Sequence, residues 1–459
     1  MTHHRTGSRS RTALAALLAA GITLTAAACG SSSDGKATSS ADGVVTITVN
    51  DEPPATDPVH RKNFLADVAE FEKLHPKIKI VPHEGQMDPQ TFSAKLAGGQ
   101  LENVFYVYFT DPAGLIAKHQ AADVTPYLDG FPQIKQVKPE LLKVFQDTQG
   151  HTYGLPEGNY SMGLVYNRKL FTQAGLDPDN PPTTWDQVRT DAQKIAALGH
   201  GIAGYGDYSK SNTGGWHFTA EMYSRGGDVA KQDAGGRWTA DFDNATGRAV
   251  LQQLHDMRWT DNSMGQRQLL EWADLLQMMG AGKLGMYVAT SDNIPTIVGQ
   301  YKGVATDFGL GPIPGGQGTL AGGGGFMFNP KDTPEQIKAG LAWLTFKYDN
   351  PDRIALGVQR DAQAKLPVGL PEPNLWTGTA AQTRADAVKA NANLPAANYQ
   401  KFVDASATIP LHLEPPNAQQ IYAVLDTVMA QILTNKDADI DTLLSTATTQ
   451  VNSILATVK

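Results

Sequence analysis

Four short stretches decide the fold: VVTITV (44–49), FLADVAEFEKL (64–74), IKIV (78–81) and VFYVY (104–108). The first, third and fourth are short and rich in β-branched or aromatic residues, which predicts strands. In the second stretch the apolar residues recur at helical spacing, which predicts a helix with one apolar face.

Local signals set the ends of these elements. His75-Pro76 ends the first helix, because a residue before proline is disfavoured in helical backbone. Asp88-Pro89 predicts the start of a second helix, with an N-cap and a proline in its first turn, and Gly98-Gly99 ends it. Strands that alternate with helices are typical of a parallel, doubly wound α/β sheet.

Ligands of such sheets bind beyond the carboxyl ends of the strands. This rule indicates Asn50, Asp51 and Glu52 after the first strand, and Thr110 and Asp111 after the third. Because Asp111 precedes a proline, capping a helix is an equally good explanation for it, and both roles are compatible.

Further elements follow along the chain. Thr184 to Gln187 fits a capping box, and Met286 to Ala289 predicts a strand. Gly322 to Gly325 is a run of four glycines that suits a hinge or a close approach of backbone to a ligand. Thr333-Pro334 predicts a helix start, and the sequence beyond it is mostly helical.

The N-terminus has the pattern of a secretory signal. Three arginines without an acidic residue precede an apolar run at 13–22, and Ala26-Ala27-Ala28 leads to Cys29. The run is shorter than the ~20 residues of a membrane-spanning helix. We therefore expect residues 1–28 to be a signal peptide.

Cys29 is the only cysteine of the 459 residues. The segment from Leu24 to Gly30 resembles a bacterial lipobox, in which the cysteine is acylated. The resemblance predicts lipidation at Cys29 and a lipid anchor in the cell membrane. Residues 29–43, rich in Ser, Gly and Ala, predict a flexible tether.

Charge and size limit the function further. Removing residues 1–28, which carry three arginines and no acid, moves the net charge from −8 to −11. An acidic chain of this kind disfavours nucleic acid as a partner. The remainder is longer than one hydrophobic core normally holds, so we expect two lobes.

Sequence signatures of enzymes and metal sites are scarce. His83-Glu84 lacks a second histidine four residues on, and the glycine run lacks the Lys-Ser/Thr of a phosphate loop. The acids at 437, 439 and 441 fail the calcium-loop pattern at later positions and fit a solvated helix start. We expect neither cofactor nor metal. Asp111 and Glu157 remain a carboxylate pair that a glycosidase would need.

Aromatic residues indicate a sugar site, since sugar rings stack on aromatic faces. Tyr106 and Trp272 suit a core by their strand and helix contexts, as does Trp343. Trp216 instead follows Thr213-Gly214-Gly215 without apolar helical partners upstream, which favours contact with a ligand.

Several motifs resemble the extracellular solute-binding proteins of ABC importers, family 1, the sugar-binding maltodextrin type. They occur in the expected order: GHTYGLP (150–156), GLVYNRKLF (163–171), AGL (174–176), PPTTW (181–185), GKLGM (282–286), FGLGPIP (308–314) and KLPV (365–368).

The resemblance implies a two-lobed, type II periplasmic-binding-protein-like α/β fold. Each lobe is a mixed sheet flanked by helices, with the ligand cleft at the hinge. It implies chain crossings near Gly158 to Met162 and Gly322 to Phe326. The implied lobes are 44–158 with 325–375, and 159–324 with 376–459.

The resemblance also implies the residues that face the cleft: Glu52, Tyr108, Asp111, Glu157, Asn159, Tyr160, Trp216, Ser291, Asp292 and Gly324. Tyr160 and Trp216 would stack on the solute, and Gly324 would allow close backbone approach. Hydrogen bonds to hydroxyls would come from Asp111, Glu157, Asn159 and Asp292.

The function thus implied is non-enzymatic. A monomeric, extracytoplasmic, lipid-anchored protein would capture a mono- or oligosaccharide and deliver it to ABC permease subunits. Two alternatives remain open: a sensory or adhesive binding lipoprotein, and an exported glycosidase that uses Asp111 and Glu157.

Overall fold

The strands and helices predicted between residues 44 and 108 are present in the computed structural model. It describes residues 43–85, 87 and 91–458. The signal peptide, Cys29, the tether up to residue 42 and the helix start at Asp88-Pro89 lie outside the described residues.

The strands of the described residues are distributed along most of the chain. They are β1 Val45–Glu52, β2 Ile78–Glu84, β3 Val104–Tyr108, β4 Gly154–Ser161, β5 Gly163–Asn167, β6 Ala203–Tyr205, β7 Ala230–Gln232, β8 Trp238–Ala240, β9 Leu284–Ala289, β10 Phe308–Gly311, β11 Thr319–Phe328 and β12 Leu411–Leu413.

The described α-helices are α1 Pro58–Leu74, α2 Phe92–Ala97, α3 Pro112–Ala117, α4 Pro139–Leu142, α5 Arg168–Gln173, α6 Trp185–Ala196, α7 Thr213–Ser224, α8 Ala245–His255, α9 Trp272–Gly280, α10 Asn293–Gly299, α11 Pro334–Lys347, α12 Pro351–Gln363, α13 Gly378–Asn391, α14 Gln400–Ser406, α15 Ala418–Thr434 and α16 Ile440–Leu455.

The first sheet has the order β12-β11-β3-β1-β2, with β4 paired to β11. β1 is parallel to both β2 and β3, as the sequence pattern predicts. β11 is antiparallel to β3 and β4, so the whole sheet is mixed. The glycine run lies inside β11, where its backbone pairs on both sides.

The second sheet has the order β10-β5-β9-β6. The chain enters it through Met162, which separates β4 from β5, and leaves it between β10 and β11. The first passage falls in the range 158–162, where a crossing is expected. The second, at residues 312–318, precedes the range 322–326, which lies inside β11, so the expected crossings stay predictions.

Each sheet is covered on both faces, because successive side chains of a strand point to opposite sides. In β3, Val104 and Tyr106 join one apolar cluster while Phe105 and Val107 join another. β5 and β9 divide their side chains between two further clusters in the same way. Burial on both faces explains why these strands are almost wholly apolar.

Helix ends follow the capping signals of the sequence. Thr184 and Thr333 each accept a hydrogen bond from the backbone N–H three residues on, and each has a reciprocal glutamine, forming capping boxes. Asp439 caps α16, as expected for a solvated helix start. The core placement of Trp343 is confirmed, since it is buried among α1 and α11 side chains.

The C-terminal helices pack in two places. α15 crosses α7 closely, and a Cβ added at Gly215 would lie 2.4 Å from Tyr422 Cα. α13 is adjacent to residues 136–138, since the Ala380 N–H donates to Gln136 Oε1 at 2.8 Å. The lobe boundaries therefore stay predictions, because α13 contacts a segment assigned to the other lobe.

Among the described helices, none combines the length and the apolar character needed to cross a bilayer.

We predict that Gly325→Ala lowers the free energy of unfolding by about 1–3 kcal/mol. The added Cβ would lie 2.3 Å from the Leu155 carbonyl oxygen of β4, so the two strands would have to move apart. Urea unfolding measures the change. Gly357→Ala is the matched control, because that helix position has open space and alanine should gain about 0.5–1 kcal/mol. Equal stability of Gly325→Ala and wild type would show that the close pairing is unnecessary.

Candidate functional site

The carboxyl end of β1 is distorted where it reaches the candidate site. The register with β2 shifts between Val49 and Glu52, so β1 carries an extra residue there. Asp51 lies in this bulge with a φ of 77°, a conformation uncommon for residues other than glycine. Bulges next to binding sites redirect side chains.

A second bulge lies in β4. Gly324 pairs with Gly158 and Gly325 with Pro156, which leaves Glu157 without a partner residue across β11. Glu157 is half-buried, and its nearest charged neighbours include Asp51. The two bulges thus bring two carboxylates of distant strands into one group.

The glycine run makes room for tyrosines. A Cβ on Gly324 would lie 1.8 Å from Tyr106 Oη, and one on Gly322 would lie 2.4 Å from Tyr160 Oη. The same Gly322 position is 3.1 Å from Glu414 Oε2, which follows β12. Small residues in β11 therefore let two tyrosine hydroxyls approach the sheet. The expected approach of a solute to Gly324 stays a prediction.

Aromatic rings form two groups at the site. Tyr106 and Tyr108 at the end of β3 have ring centroids 6.0 Å apart. Tyr160 of β4 meets Trp216 of α7 edge to face, with centroids 5.9 Å apart, and Tyr208 lies 6.2 Å from the same indole. All but the buried Tyr106 and Tyr208 are half-buried, so part of each ring surface is accessible.

Polar residues next to Trp216 fix the backbone that carries it. Asp426 of α15 accepts hydrogen bonds from the backbone N–H groups of Asn212 and Gly215, at 2.5 and 2.8 Å. The fully buried His217 ring stacks beside the indole and lies 3.0 Å from Asp207. Burial lowers the pKa of His217 to about 3, so its imidazole is neutral. These contacts orient the start of α7.

Burial raises the pKa of the bulge carboxylates. The pKa of Glu157 rises to about 8, first because of burial and next because of the neighbouring Asp51 charge. Burial raises the pKa of Asp51 to about 6, although Tyr348 Oη donates to its Oδ2 at 3.1 Å and Lys347 also lowers it. The pair therefore shares less than two negative charges at neutral pH.

The other carboxylates of the site are enclosed as well. Burial raises the pKa of Asp111 to about 6 and that of Glu414 to about 7. Asp111 stands at the N-cap position of α3, but its carboxylate accepts from the Tyr108 N–H at 3.0 Å instead of from the helix. Glu414 accepts from Tyr422 Oη at 2.9 Å.

The second sheet contributes the turn after β9. Asp292 is surface-accessible, yet protein surrounds it and raises its pKa by burial, as expected for a group facing an enclosed space. Thr290 donates to Asp292, and the Asn293 amide donates to Thr290 Oγ1 at 2.9 Å. The neighbouring Ser291 is buried.

Trp272 differs from its predicted core position. It is the first residue of α9, 40% of its surface is exposed, and its indole N–H donates to Asn293 Oδ1 at 2.9 Å. A helix end leaves one side of a ring open, which the apolar neighbours in the sequence do not reveal.

The structure brings most of the predicted site residues together. The charge of Asp292 raises the pKa of both Glu157 and Tyr160, and Tyr108 also raises the pKa of Tyr160. Asn159 lies on β4 opposite Gly323, and its buried Oδ1 has no hydrogen-bond partner among the described residues.

Glu52 is the predicted residue that the structure separates from this group. Its carboxylate forms an ion pair with Arg61 of α1 at 2.8 Å and is buried. The bulge places Asp51, its neighbour, beside Glu157 instead. The strand-end rule had indicated Asp51. Tyr208, Tyr348 and Glu414 were not predicted, because they come from elements far away in the sequence.

Two cavities lie away from this site, both beside Pro312. One is about 10 Å³ and the other, between Asn180 and Lys401, is about 440 Å³. Neither contains a predicted site residue. Among the described residues, no cluster of three or more His, Cys, Asp or Glu side chains is placed to hold a metal ion.

Residues 57–350 match the bacterial extracellular solute-binding proteins, and the chain belongs to that family. A protein of Brucella abortus (strain 2308), named only as a binding protein, is 26% identical over 286 residues. That match covers 61% of this chain and 65% of the relative, less than two thirds of its length.

Solved structures share the fold. An ABC transporter solute-binding protein of Thermotoga lettingae, bound with α-D-tagatose, has a TM-score of 0.72 and 21% identity over 89% of this chain and 99% of its own. UgpB of Mycobacterium tuberculosis, in complex with glycerophosphocholine, has a TM-score of 0.68 and 16% identity over 90% and 99%. The predicted two-lobed α/β fold is confirmed.

We predict that Glu157→Gln becomes more stable relative to wild type as the pH rises. The folded-state pKa of about 8 lies above the ordinary value of 4.5, so the folded wild type binds more protons than the unfolded chain between these values. Its stability therefore falls as the pH rises through this window. Urea unfolding at pH 5 and pH 8.5 should show the difference between variant and wild type growing by about 1–3 kcal/mol.

Glu140→Gln, at an exposed position of α4, is the control and should shift stability equally at both pH values. Parallel stability profiles for Glu157→Gln and wild type would contradict the burial of this carboxylate.

Proposed function

We propose that this protein captures a carbohydrate in the cleft between its lobes and delivers it to the permease of an ABC importer. The observation that carries the proposal is the joint placement of aromatic rings and carboxylates from both sheets. Tyr108 and Asp51 come from the first sheet, Trp216 and Asp292 from elements of the second, and β4 supplies Glu157 and Tyr160.

This arrangement suits a polyhydroxylated solute. The Trp216 and Tyr160 faces offer stacking surface to the C–H face of a sugar ring. Carboxylate oxygens accept hydrogen bonds from hydroxyls, and an opening of the cleft that uncovers the buried, unpaired Oδ1 of Asn159 would add another acceptor. Several such contacts suffice for a micromolar complex, about −8 kcal/mol.

The crossing strands suit a hinge. Closure around the solute would bury it and present a surface formed by both lobes to the permease. In this proposal the chain acts as a monomer, and acylated Cys29 holds it outside the cell membrane after removal of residues 1–28. Capture and release need no chemistry on the solute.

Two other functions use the same site. An exported glycosidase would employ Asp111 and Glu157 and would turn over an oligosaccharide. A sensory or adhesive lipoprotein would bind the solute without supporting its uptake. The solutes of the structural neighbours, α-D-tagatose and glycerophosphocholine, differ in chemistry, so the solute is a matter for direct measurement.

We predict that a saccharide raises the melting temperature of the mature protein. A ligand at a hundredfold its dissociation constant adds about 2.7 kcal/mol to stability. Differential scanning fluorimetry against mono-, di- and oligosaccharides, polyols and peptides identifies the class. A shift by peptides alone would overturn the sugar assignment, and product formation from an oligosaccharide that Glu157→Gln abolishes would favour the glycosidase.

We also predict that Trp216→Ala weakens binding of the saccharide that the screen identifies at least tenfold, because a stacking surface is lost. Isothermal titration calorimetry on the folded variant measures the dissociation constant. Trp238→Ala, at a half-buried position of the two-stranded sheet, is the matched control and should bind as wild type does. Equal affinity of all three proteins would place the solute elsewhere.

A further inference from the structure

The site contains more negative than positive groups. The negative charges of Asp51 and Asp292 both raise the pKa of Glu157, and the charge of Asp111 raises the pKa of Glu414. The positive charge that lowers the pKa of both Asp51 and Glu157 is that of Lys347. A solute entering this group therefore meets a surface of hydrogen-bond acceptors.

Lys347 is engaged elsewhere. Its Nζ lies 3.2 Å from Asp67 Oδ2 and stands 5.1 Å from the ring centroids of Phe64 and Tyr348. Asp67 belongs to α1, so this ion pair ties Lys347 to that helix. Among the described residues, Lys347 forms an ion pair with Asp67 and with neither bulge carboxylate.

Glu157 is the group left without a partner. Among the described residues, its carboxylate has neither a hydrogen bond nor an ion pair, and it is only half-buried. The Asp51 carboxylate beside it accepts one hydrogen bond, from Tyr348. A donor with a positive charge would satisfy the free oxygens and cancel the repulsion between the two carboxylates.

Aromatic faces border the same place. The Tyr348 ring lies 5.2 Å from Phe326, which in turn lies 5.3 Å from Tyr106, and Tyr108 follows at 6.0 Å. Tyrosine faces attract ammonium groups through the ring quadrupole. Carboxylates and ring faces together form a setting that favours a cation over an anion.

We propose that the solute carries a protonated amino group, which binds at Asp51 and Glu157 beside the Tyr106, Tyr108 and Tyr348 rings. The solute class is an amino sugar or a similar polyhydroxylated amine. This inference rests on the proposed function, since it assumes that the cleft is the solute site. The same charges disfavour phosphorylated sugars.

A neutral sugar fits this corner less well. It would donate hydroxyl hydrogen bonds to the carboxylates but leave their mutual repulsion in place. An ammonium group favours the ionised form of both acids, so its binding releases a proton from the pair. The titratable groups that face Glu157 are Asp51, Tyr106, Asp292, Lys347, Tyr348 and Glu372, the last of which is paired with Arg384.

The test compares matched sugars at pH 7 by calorimetry on the mature chain. Glucosamine, galactosamine, mannosamine and their β-1,4-linked glucosamine oligomers are measured against the N-acetylated, the hydroxyl and the 6-phosphate counterparts. At least one amine should bind tenfold or more tightly than its counterparts, and added salt should weaken it. Glu157→Gln removes a charge that only the amine needs, so it should reduce the affinity for the amine at least tenfold more than the affinity for the neutral counterpart.

Asp51→Asn serves as a second variant, and Glu140→Gln as a control that keeps the wild-type affinity. Thermal melts without ligand establish that each variant is folded. Tighter binding of the neutral counterpart, or equal losses for amine and neutral sugar in Glu157→Gln, would overturn the charge inference and leave sugar capture standing. Binding of neither series at 10 mM, on the order of the weakest useful affinity, would contradict both.

Discussion

The antiparallel pairing of β4 with β11 is the constraint on which the remaining structure depends. It runs from Ser161 opposite Ala321 to Gly154 opposite Met327, and both strands lead directly into the second sheet or out of it. Close pairing needs glycines in β11, because side chains there would meet the carbonyl oxygens of β4 and the tyrosine hydroxyls. One pair of strands therefore joins the two sheets, admits the rings of the site and, through its bulge, frees Glu157 from regular pairing.

Local and periodic signals predicted the elements well. The apolar runs of β1, β2 and β3 reflect sheets buried on both faces, and the capping boxes at Thr184 and Thr333 are set by neighbouring residues alone. Such signals extend over a few residues and are visible in a single sequence. The grouping of Glu157, Tyr160, Trp216 and Asp292 came from family resemblance instead, because it joins residues more than a hundred positions apart.

Other features had no local signal. Asp51, and not Glu52, lies in the site because of a bulge and one residue with left-handed backbone. Strand alternation alone gives no reason to prefer either side chain. Tyr348 and Glu414 reach the site from the ends of α11 and β12, and only the assembled fold places them there. Trp272 has leucine neighbours in the sequence, yet its position at the start of α9 leaves its side chain 40% exposed. Tertiary placement decided each of these cases.

The site combines a rigid part with an unsatisfied part. Near Trp216, the buried His217 and Asp207 and the half-buried Asp426 hold the start of α7 by hydrogen bonds. In the proposed function the ring therefore needs little ordering when a solute binds. At the two bulges, Asp51 and Glu157 are enclosed by protein with few positive charges nearby, which destabilises the folded chain. When a site has unpaired charges and a fixed geometry, a ligand that supplies the missing hydrogen-bond donors stabilises it strongly. In the proposed function a solute with suitable donors relieves the unfavourable burial of Glu157, whereas an apolar or amide residue at this position would give a more stable protein in the absence of solute.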